Sequence, residues 1–281
     1  MKSNDWQNDK HRIEVKNKIK SKFDNSIRGR EPILPIGAKR HDGWVGHWLQ
    51  KQFGLKADAL NAPDLWGFEL KDDTGTGVTT FGDWSADEYV FFSHDRCAQD
   101  VARAKKCEKC RNSKIERSTF LRVFGVPNIQ KGNRHSWSGT VCPKVDGYNK
   151  YGQILVVYDD GSINAEYCFS ADQRSNKRSI IPSALQVEDL VLAAWDSDSL
   201  KEKLENKFKD LGWFKCIRES NGRGKYVGMV FGGPINYEYW VDQVLLGNVY
   251  LDSGMYEGND RKYSQWRATN KFWDSLVEEV Y

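Results

Sequence analysis

The stretch Asn61-Ala-Pro-Asp-Leu-Trp-Gly-Phe-Glu-Leu-Lys71 constrains this chain more than any other. From Trp66 onward the apolar side chains alternate. Trp66, Phe68 and Leu70 fall on one face and Gly67, Glu69 and Lys71 on the other, the period-two pattern of a half-buried strand. The second face is expected to be open to water and to carry a carboxylate and an ammonium side by side. Pro63-Asp64 reads as a turn or strand entry whose carboxylate can fold back toward Glu69. Two carboxylates near one point make a hard-oxygen site suited to Mg2+, which can activate water and stabilise charge on a phosphate. Lys71 then stands beside the phosphate as a point charge or helps to deprotonate the water. On its own, Glu-x-Lys on a strand is an ordinary solvated ion pair of little energy; the preceding Pro-Asp and the apolar alternation set this one apart.

A chain of 281 residues can bury a full core. With 29% charged and 39% hydrophobic residues, 11 Trp and no low-complexity tract, it reads as globular. No apolar run is long enough to cross a bilayer and the N-terminus lacks a signal-peptide core, so a cytoplasmic location is expected. The net charge of +3 says little, but its distribution says more. Residues 101–135 hold ten Lys/Arg against Glu108 and Glu116, and the first forty hold eleven against five acids. Local basic surfaces on a nearly neutral chain fit a polyanion partner, with Lys-rich faces kept for solubility as the plainer alternative.

The pattern predicts a basic helix over 6–27 with Ile13, Val15, Ile19 and Phe23 as its apolar stripe, halted by Pro32 and Pro35. A second helix follows over 41–54, with Trp44, Val45, Trp48, Leu49 and Phe53 on one face, Asp42 as N-cap and Gly54 as stop. His47 on this Trp-rich helix is expected to pack. After a turn at 74–77, Val78–Phe81 is expected as an antiparallel neighbour of the Glu69 strand. Residues 119–124, 153–158, 163–169 and 225–231 read as strands, 185–211 as mostly helical, 245–251 as a strand or helix end, and 270–280 as an amphipathic helix. The fold class is mixed α/β.

Two segments, Asp42-Gly-Trp-Val-Gly-His-Trp-Leu-Gln-Lys-Gln-Phe-Gly54 and Pro63-Asp-Leu-Trp-Gly-Phe-Glu-Leu-Lys71, together resemble the MutH-like branch of the PD-(D/E)xK nucleases, and within it the MvaI/BcnI family of type II restriction endonucleases. Shorter landmarks agree in order: Arg122-Val-Phe-Gly125, Arg134-His-Ser-Trp-Ser-Gly-Thr140, Asn149-Lys-Tyr-Gly-Gln153, Asn259-Asp-Arg261 and Arg267. The resemblance implies a restriction-endonuclease-like core: a mixed central sheet flanked by helices, in two lobes forming a DNA-binding cleft. It further implies one such domain over 1–281, with a catalytic lobe of 1–120 plus C-terminal elements and a recognition lobe within 120–270. The metal-binding aspartate of the family falls on Asp64, its second acid on Glu69 and its lysine on Lys71. Where relatives often carry a glutamate on the preceding helix, this chain has Gln50, which leaves the site one carboxylate fewer. The histidine that one relative has after the lysine strand is absent here; His47 could substitute for it in space, with packing on its Trp-rich helix the stronger expectation. The implied activity is Mg2+-dependent hydrolysis of double-stranded DNA at a short C/G-rich site by a monomer, leaving 5′-phosphates. A nuclease requiring 5-methylcytosine, a MutH-like nickase and a catalytically inactive DNA-binding module remain alternatives.

Base contacts are expected from Arg134, Asn259, Asp260 and Arg261, whose loops are basic, aromatic and polar, with His135 and Arg267 alongside. Lys177 and Arg178, with Arg174, make a third basic loop suited to phosphates. Most of the Trp belong in the core, although one could wedge into DNA. Six cysteines in a cytoplasmic chain argue against disulfides. His94-x2-Cys97-x9-Cys107-x2-Cys110 offers four soft ligands at a spacing compatible with structural Zn2+, against the alternative of free thiols in a basic insertion. Cys142, Cys168 and Cys216 read as isolated buried residues.

Overall fold

A computed structural model of the chain describes residues 3–33, 43–56, 61–73, 75–220 and 223–281. The expected roles of Pro35 and Thr74 and the N-cap at Asp42 fall outside these residues. The chain runs α1 (Ser3–Ser26), α2 (Trp44–Gln52), β1 (Phe68–Asp72), β2 (Val78–Asp83), β3 (Glu88–Tyr89), α3 (Asp95–Ala98) and α4 (Val101–Lys106). Then come α5 (Arg117–Phe124), β4 (Val126–Asn128), β5 (Arg134–Trp137), β6 (Tyr151–Val157), β7 (Ile163–Asp172), α6 (Lys177–Ile180) and β8 (Leu190–Trp195). It continues through α7 (Ser197–Phe208), β9 (Gly212–Arg218), β10 (Tyr226–Gly232), α8 (Tyr237–Leu245) and β11 (Val249–Asp252). Last are β12 (Met255–Tyr256), β13 (Gln265–Thr269), α9 (Asn270–Ser275) and β14 (Val277–Val280).

Two compact units divide the chain: Met1–Thr79 with Lys203–Asn236 and Ala268–Tyr281, and Thr80–Glu202 with Tyr237–Arg267. Residues 80–120, expected with the catalytic lobe, group with the second unit. The first unit is organised on a sheet of order β1-β9-β10-β14. β1 runs parallel to β9, placing Glu69 beside Trp213 and Lys71 beside Lys215, while the β9/β10 and β10/β14 pairs are antiparallel. One face of this sheet, carrying Phe68, Leu70, Phe214 and Cys216, buries against Val15, Ile19, Phe23 and Ile27 of the α1 segment and Leu49 of α2. Those four α1 residues recur every fourth position, a single helical stripe; Ile13, expected to share it, is 59% exposed. α1 is fastened by Arg12, which donates to the Leu211 and Gly232 carbonyls at 3.0 and 3.1 Å, and by Lys16, which pairs with Glu279 at 2.7 Å. On the other face Trp213 packs edge-on against Trp273 of α9 at 5.0 Å, and Phe208 of α7 lies 6.2 Å from the same ring.

The second unit is built mainly on a sheet of order β3-β8-β7-β6, with smaller sheets β12-β5-β4 and β11-β13-β2. Its core is aromatic, with Trp84, Trp240, Trp266 and Trp195 in a chain of edge contacts. The Trp137 indole donates to Gln153 Oε1 at 2.7 Å, and Gln153 donates on to the Phe124 carbonyl, so a wholly buried amide is satisfied.

Several expected elements differ. Residues 119–124 are helical, because Phe120, Leu121, Val123 and Phe124 bury at helical spacing despite their strand propensity. Helix in 185–211 is confined to α7; Leu190–Trp195 is a strand whose near-continuous apolar run carries no clear period. After α9 the chain turns at Leu276 and β14 pairs with β10, so 270–280 is only half helical. β2 lies beside β13 and not beside β1.

Gly232 lies under the Trp213 indole, where a Cβ would fall 2.2 Å from the ring. Gly232→Ala must displace a fully buried Trp, at a cost of about 1–3 kcal/mol. The expected result is a Tm lower by several degrees in thermal melts. Gly46→Ala on α2, where a Cβ meets nothing within 4 Å, should be neutral or stabilising. Equal melts for the two variants would contradict this packing.

Candidate active site

The turn before β1 creates the site. Leu65 and Phe68 exchange backbone hydrogen bonds of 2.9 Å each way, leaving Trp66 and Gly67 as a two-residue reversal with φ of +50° and +93°. Positive φ at both central positions is the twist that tight hairpins require. Glycine adopts it freely; at Trp66 it is an uncommon conformation for a bulky side chain. Trp66 is accordingly half exposed and off the apolar face expected for it, and β1 begins at Phe68. The reversal sets Asp64 alongside Glu69, and Asp64 Oδ2 accepts from the Leu70 amide at 3.0 Å.

The face of β1 that carries Glu69 and Lys71 is not open to water. Glu69 is 2% and Lys71 7% exposed, because α7 and α9 cover them. Lys71 Nζ lies 5.0 Å from the Phe208 ring and 5.7 Å from that of Trp273, where the aromatic faces favour a cation. Glu69 Oε1 accepts from Lys71 Nζ at 2.8 Å and pairs with Lys207 Nζ at 3.0 Å. Its other oxygen, Oε2, is buried with no hydrogen-bond partner among the described residues. Gln50 Nε2 on α2 makes a long contact of 3.5 Å to Asp64 Oδ1. Asp64, Glu69, Lys71 and Gln50 are therefore brought together. Lys207 joins them from the last turn of α7, one of several lysines beside the buried Leu200, Leu204 and Phe208 stripe and not singled out by the sequence. His47, expected to pack, is exposed on α2.

Burial, and after it the charge of Glu69, pushes the Asp64 carboxyl up to about 6, against the pull of the Leu70 amide, Lys207 and Lys71. Burial also draws Lys71 below the usual ammonium range, with Glu69 opposing. A raised Asp64 carboxyl beside the unpartnered Glu69 oxygen is what a hard cation would relieve.

In the second unit the polar candidates differ in how committed they are. Arg134 lies 3.6 Å over the Tyr256 ring, with its Nε buried and unpartnered among the described residues. His135 faces Glu257 at 3.4 Å, and Arg122 pairs with the same carboxylate at 2.8 Å. Asn259 bridges the Tyr256 hydroxyl and the Arg261 amide, each at 2.9 Å. Asp260 and Arg261 are exposed, the latter 3.6 Å from Asp83. Arg267 is bound to Asp252 at 2.9 Å. Lys177 donates to the Phe169 and Asp172 carbonyls at 2.8 and 2.6 Å, and Arg174 clasps Asp172; Arg178 is exposed. His94, Cys107 and Cys110 converge with ligand atoms within 4.8 Å of one another, and Cys97 is buried in the same small cluster. Cys142, Cys168 and Cys216 are buried elsewhere.

The chain matches the family model described as LlaMI restriction endonuclease over residues 33–281. It belongs to the LlaMI restriction endonuclease family. The type II restriction enzyme ScrFI of Lactococcus lactis subsp. cremoris is 43% identical over 272 residues, covering 92% of this chain and 96% of that enzyme. Among solved structures, the restriction endonuclease MvaI in complex with cognate DNA substrate superposes with a TM-score of 0.55 over 94% of this chain and 96% of that one, at 16% identity. The fold is that of a PD-(D/E)xK restriction endonuclease. As a member of the LlaMI family the chain is a site-specific DNA endonuclease that binds DNA.

The raised Asp64 carboxyl has a signed consequence for this LlaMI-family enzyme. Its contribution favours the folded state below the ordinary value of 3.8 and is lost as pH rises through about 6. In metal-free protein at pH 8, Asp64→Asn should therefore raise Tm by about 2–6 °C, the gain vanishing near pH 4. A lower Tm at pH 8 would contradict the burial of this carboxylate. Lys207→Met should slow cleavage by about 10–100-fold while Lys207→Arg retains most of it. Equal rates for Lys207→Met and wild type would remove Lys207 from the machinery.

Proposed function

We propose that the enzyme hydrolyses one phosphodiester in each strand of double-stranded DNA at a short C/G-rich site, using Mg2+ held by Asp64 and Glu69. The observation that carries this reading is the meeting of Asp64, Glu69 and Lys71 at one point, with Glu69 Oε2 buried and unpartnered among the described residues. All the available donors there are oxygens, which suits Mg2+ better than softer metals. When bound, the cation supplies Lewis-acid stabilisation of charge developing on the phosphate.

The chain's own groups do the rest. Glu69 is fixed by two ammonium groups and Asp64 by the Leu70 amide, so neither acid needs to reorganise as substrate arrives. Lys71, held as an ammonium beside Glu69, orients the attacking water and places positive charge beside the phosphate, easing loss of the water's proton. Lys207 adds positive charge toward the scissile phosphate. Gln50 holds Asp64 and orients water without adding charge. In-line attack with departure of the 3′-oxygen leaves the 5′-phosphate. Arg134, Asn259, Asp260 and Arg261 are assigned to base edges, with His135 and Arg267 supporting their loops and Lys177 and Arg178 near phosphates. The enzyme works as a cytoplasmic monomer; among the described residues no helix is long and apolar enough to cross a membrane.

Supercoiled plasmid incubated with Mg2+ should be cut in both strands, and sequenced ends should carry 5′-phosphates at a C/G-rich site. Asp64→Ala or Lys71→Ala should cut at least about 10³-fold more slowly and still shift the same DNA in Ca2+. Full cleavage by either variant would defeat the proposal. Nicking alone, or cleavage confined to methylated plasmid, would replace it with the nickase or the methylation-dependent reading. No cleavage under any divalent metal would leave an inactive binding module.

A further inference from the structure

We propose that His94, Cys97, Cys107 and Cys110 form a structural zinc site that holds the basic excursion between Ser93 and Ser113 in shape. Local geometry is the first ground. The ligand atoms of His94, Cys107 and Cys110 already lie within 4.8 Å of one another, and the Cys97 thiol interacts with those of both Cys107 and Cys110. Ligand atoms around a tetrahedral zinc stand about 3.5–3.8 Å apart, so closing these three takes side-chain movements of about 1 Å, and Cys97, in contact with Cys107 and Cys110, supplies the fourth ligand. Backbone turns at both ends of the set suit the purpose. The Cys97 amide donates to the His94 carbonyl at 2.9 Å, and the Cys110 and Arg111 amides donate to that of Cys107 at 3.0 and 2.9 Å. The Cys107-x2-Cys110 pair thus sits on a tight reversal that aims both thiols inward.

Stability is the second ground. The excursion is clasped at its base, where the Ser113 hydroxyl donates to the Tyr89 and Phe91 carbonyls and the Phe92 amide donates to the Ile115 carbonyl at 3.0 Å. Above that clasp the two helices, α3 and α4, have four and six residues, too short to persist unaided. The buried core they share consists of Cys97, Ala104 and Cys110, with Phe92 and Cys107 packed against it. So few small side chains cannot offset the ordering of some twenty residues, which is the situation in which small folds recruit a metal. Three thiols and an imidazole select zinc over a hard cation.

Enzyme purified without chelator should contain about one zinc per chain by elemental analysis, and Asp64→Asn should contain the same, which separates this metal from the one at the carboxylates. Wild-type protein loaded with Co2+ alone should show the visible bands and thiolate charge-transfer absorption of a tetrahedral site. Cys107→Ser/Cys110→Ser should lose the zinc. Trypsin should then cut that variant at Arg103, Lys105, Lys106 or Lys109, sites protected in the wild type. Wild-type protein that takes up neither zinc nor cobalt, with all these thiols titrating freely or oxidised to a Cys107–Cys110 disulfide, would overturn the proposal whether or not the variant folds.

Discussion

A carboxylate almost wholly removed from water and touched by two ammonium groups is the constraint around which the first unit is built. Taking Glu69 and Lys71 out of solvent carries a large desolvation cost, tolerable only because each charge is met at short range. Phe208 and Trp273 provide the cover and turn ring faces toward Lys71, so the same aromatics that exclude water also receive the cation. Beneath, Phe68 and Leu70 anchor β1 in the apolar cluster with Phe214 and Phe231. Glu69 Oε2, buried and without a partner among the described residues, costs about 1–3 kcal/mol. Local instability of that kind is common at functional sites.

The acid pair and its lysine were legible because they lie within eight residues and because alternation marks β1 as a strand. Their burial was not. Period two says which residues share a face but not what lies over it, and α7 and α9 come from more than 120 residues further along the chain. Lys207 was invisible for the same reason: in Lys-Glu-Lys-Leu-Glu-Asn-Lys-Phe-Lys nothing distinguishes it from its solvated neighbours. The misread elements share another cause. Thr119–Phe124 and Leu190–Trp195 are short apolar runs whose local composition fits either helix or strand, and packing decides between them. The resemblance to restriction endonucleases, carried by two segments, was sufficient to name the fold and the reaction.

In the second unit, positive charge is not a uniform resource. Arg174 is held by the buried Asp172, Lys177 by backbone carbonyls and Arg267 by the half-buried Asp252, and they shape the loops they occupy. Arg178, Arg261 and the flank of Arg134 keep surface that a polyanion can reach. Sequence cannot separate the two groups, since an arginine that braces a loop and one that reads a base occupy the same kind of basic, aromatic stretch.

The Trp66-Gly67 reversal has a consequence for side-chain length. Because the backbone alone fixes how far residue 64 stands from residue 69, the aspartate acts as a ruler whose tip marks one position. A glutamate there would preserve charge and chemistry yet carry its oxygens about 1.5 Å further, the span of one extra methylene. The Leu70 amide, which now meets Asp64 Oδ2 at 3.0 Å, would no longer find an oxygen at hydrogen-bond distance in the same place. At this position the two acidic amino acids are different tools.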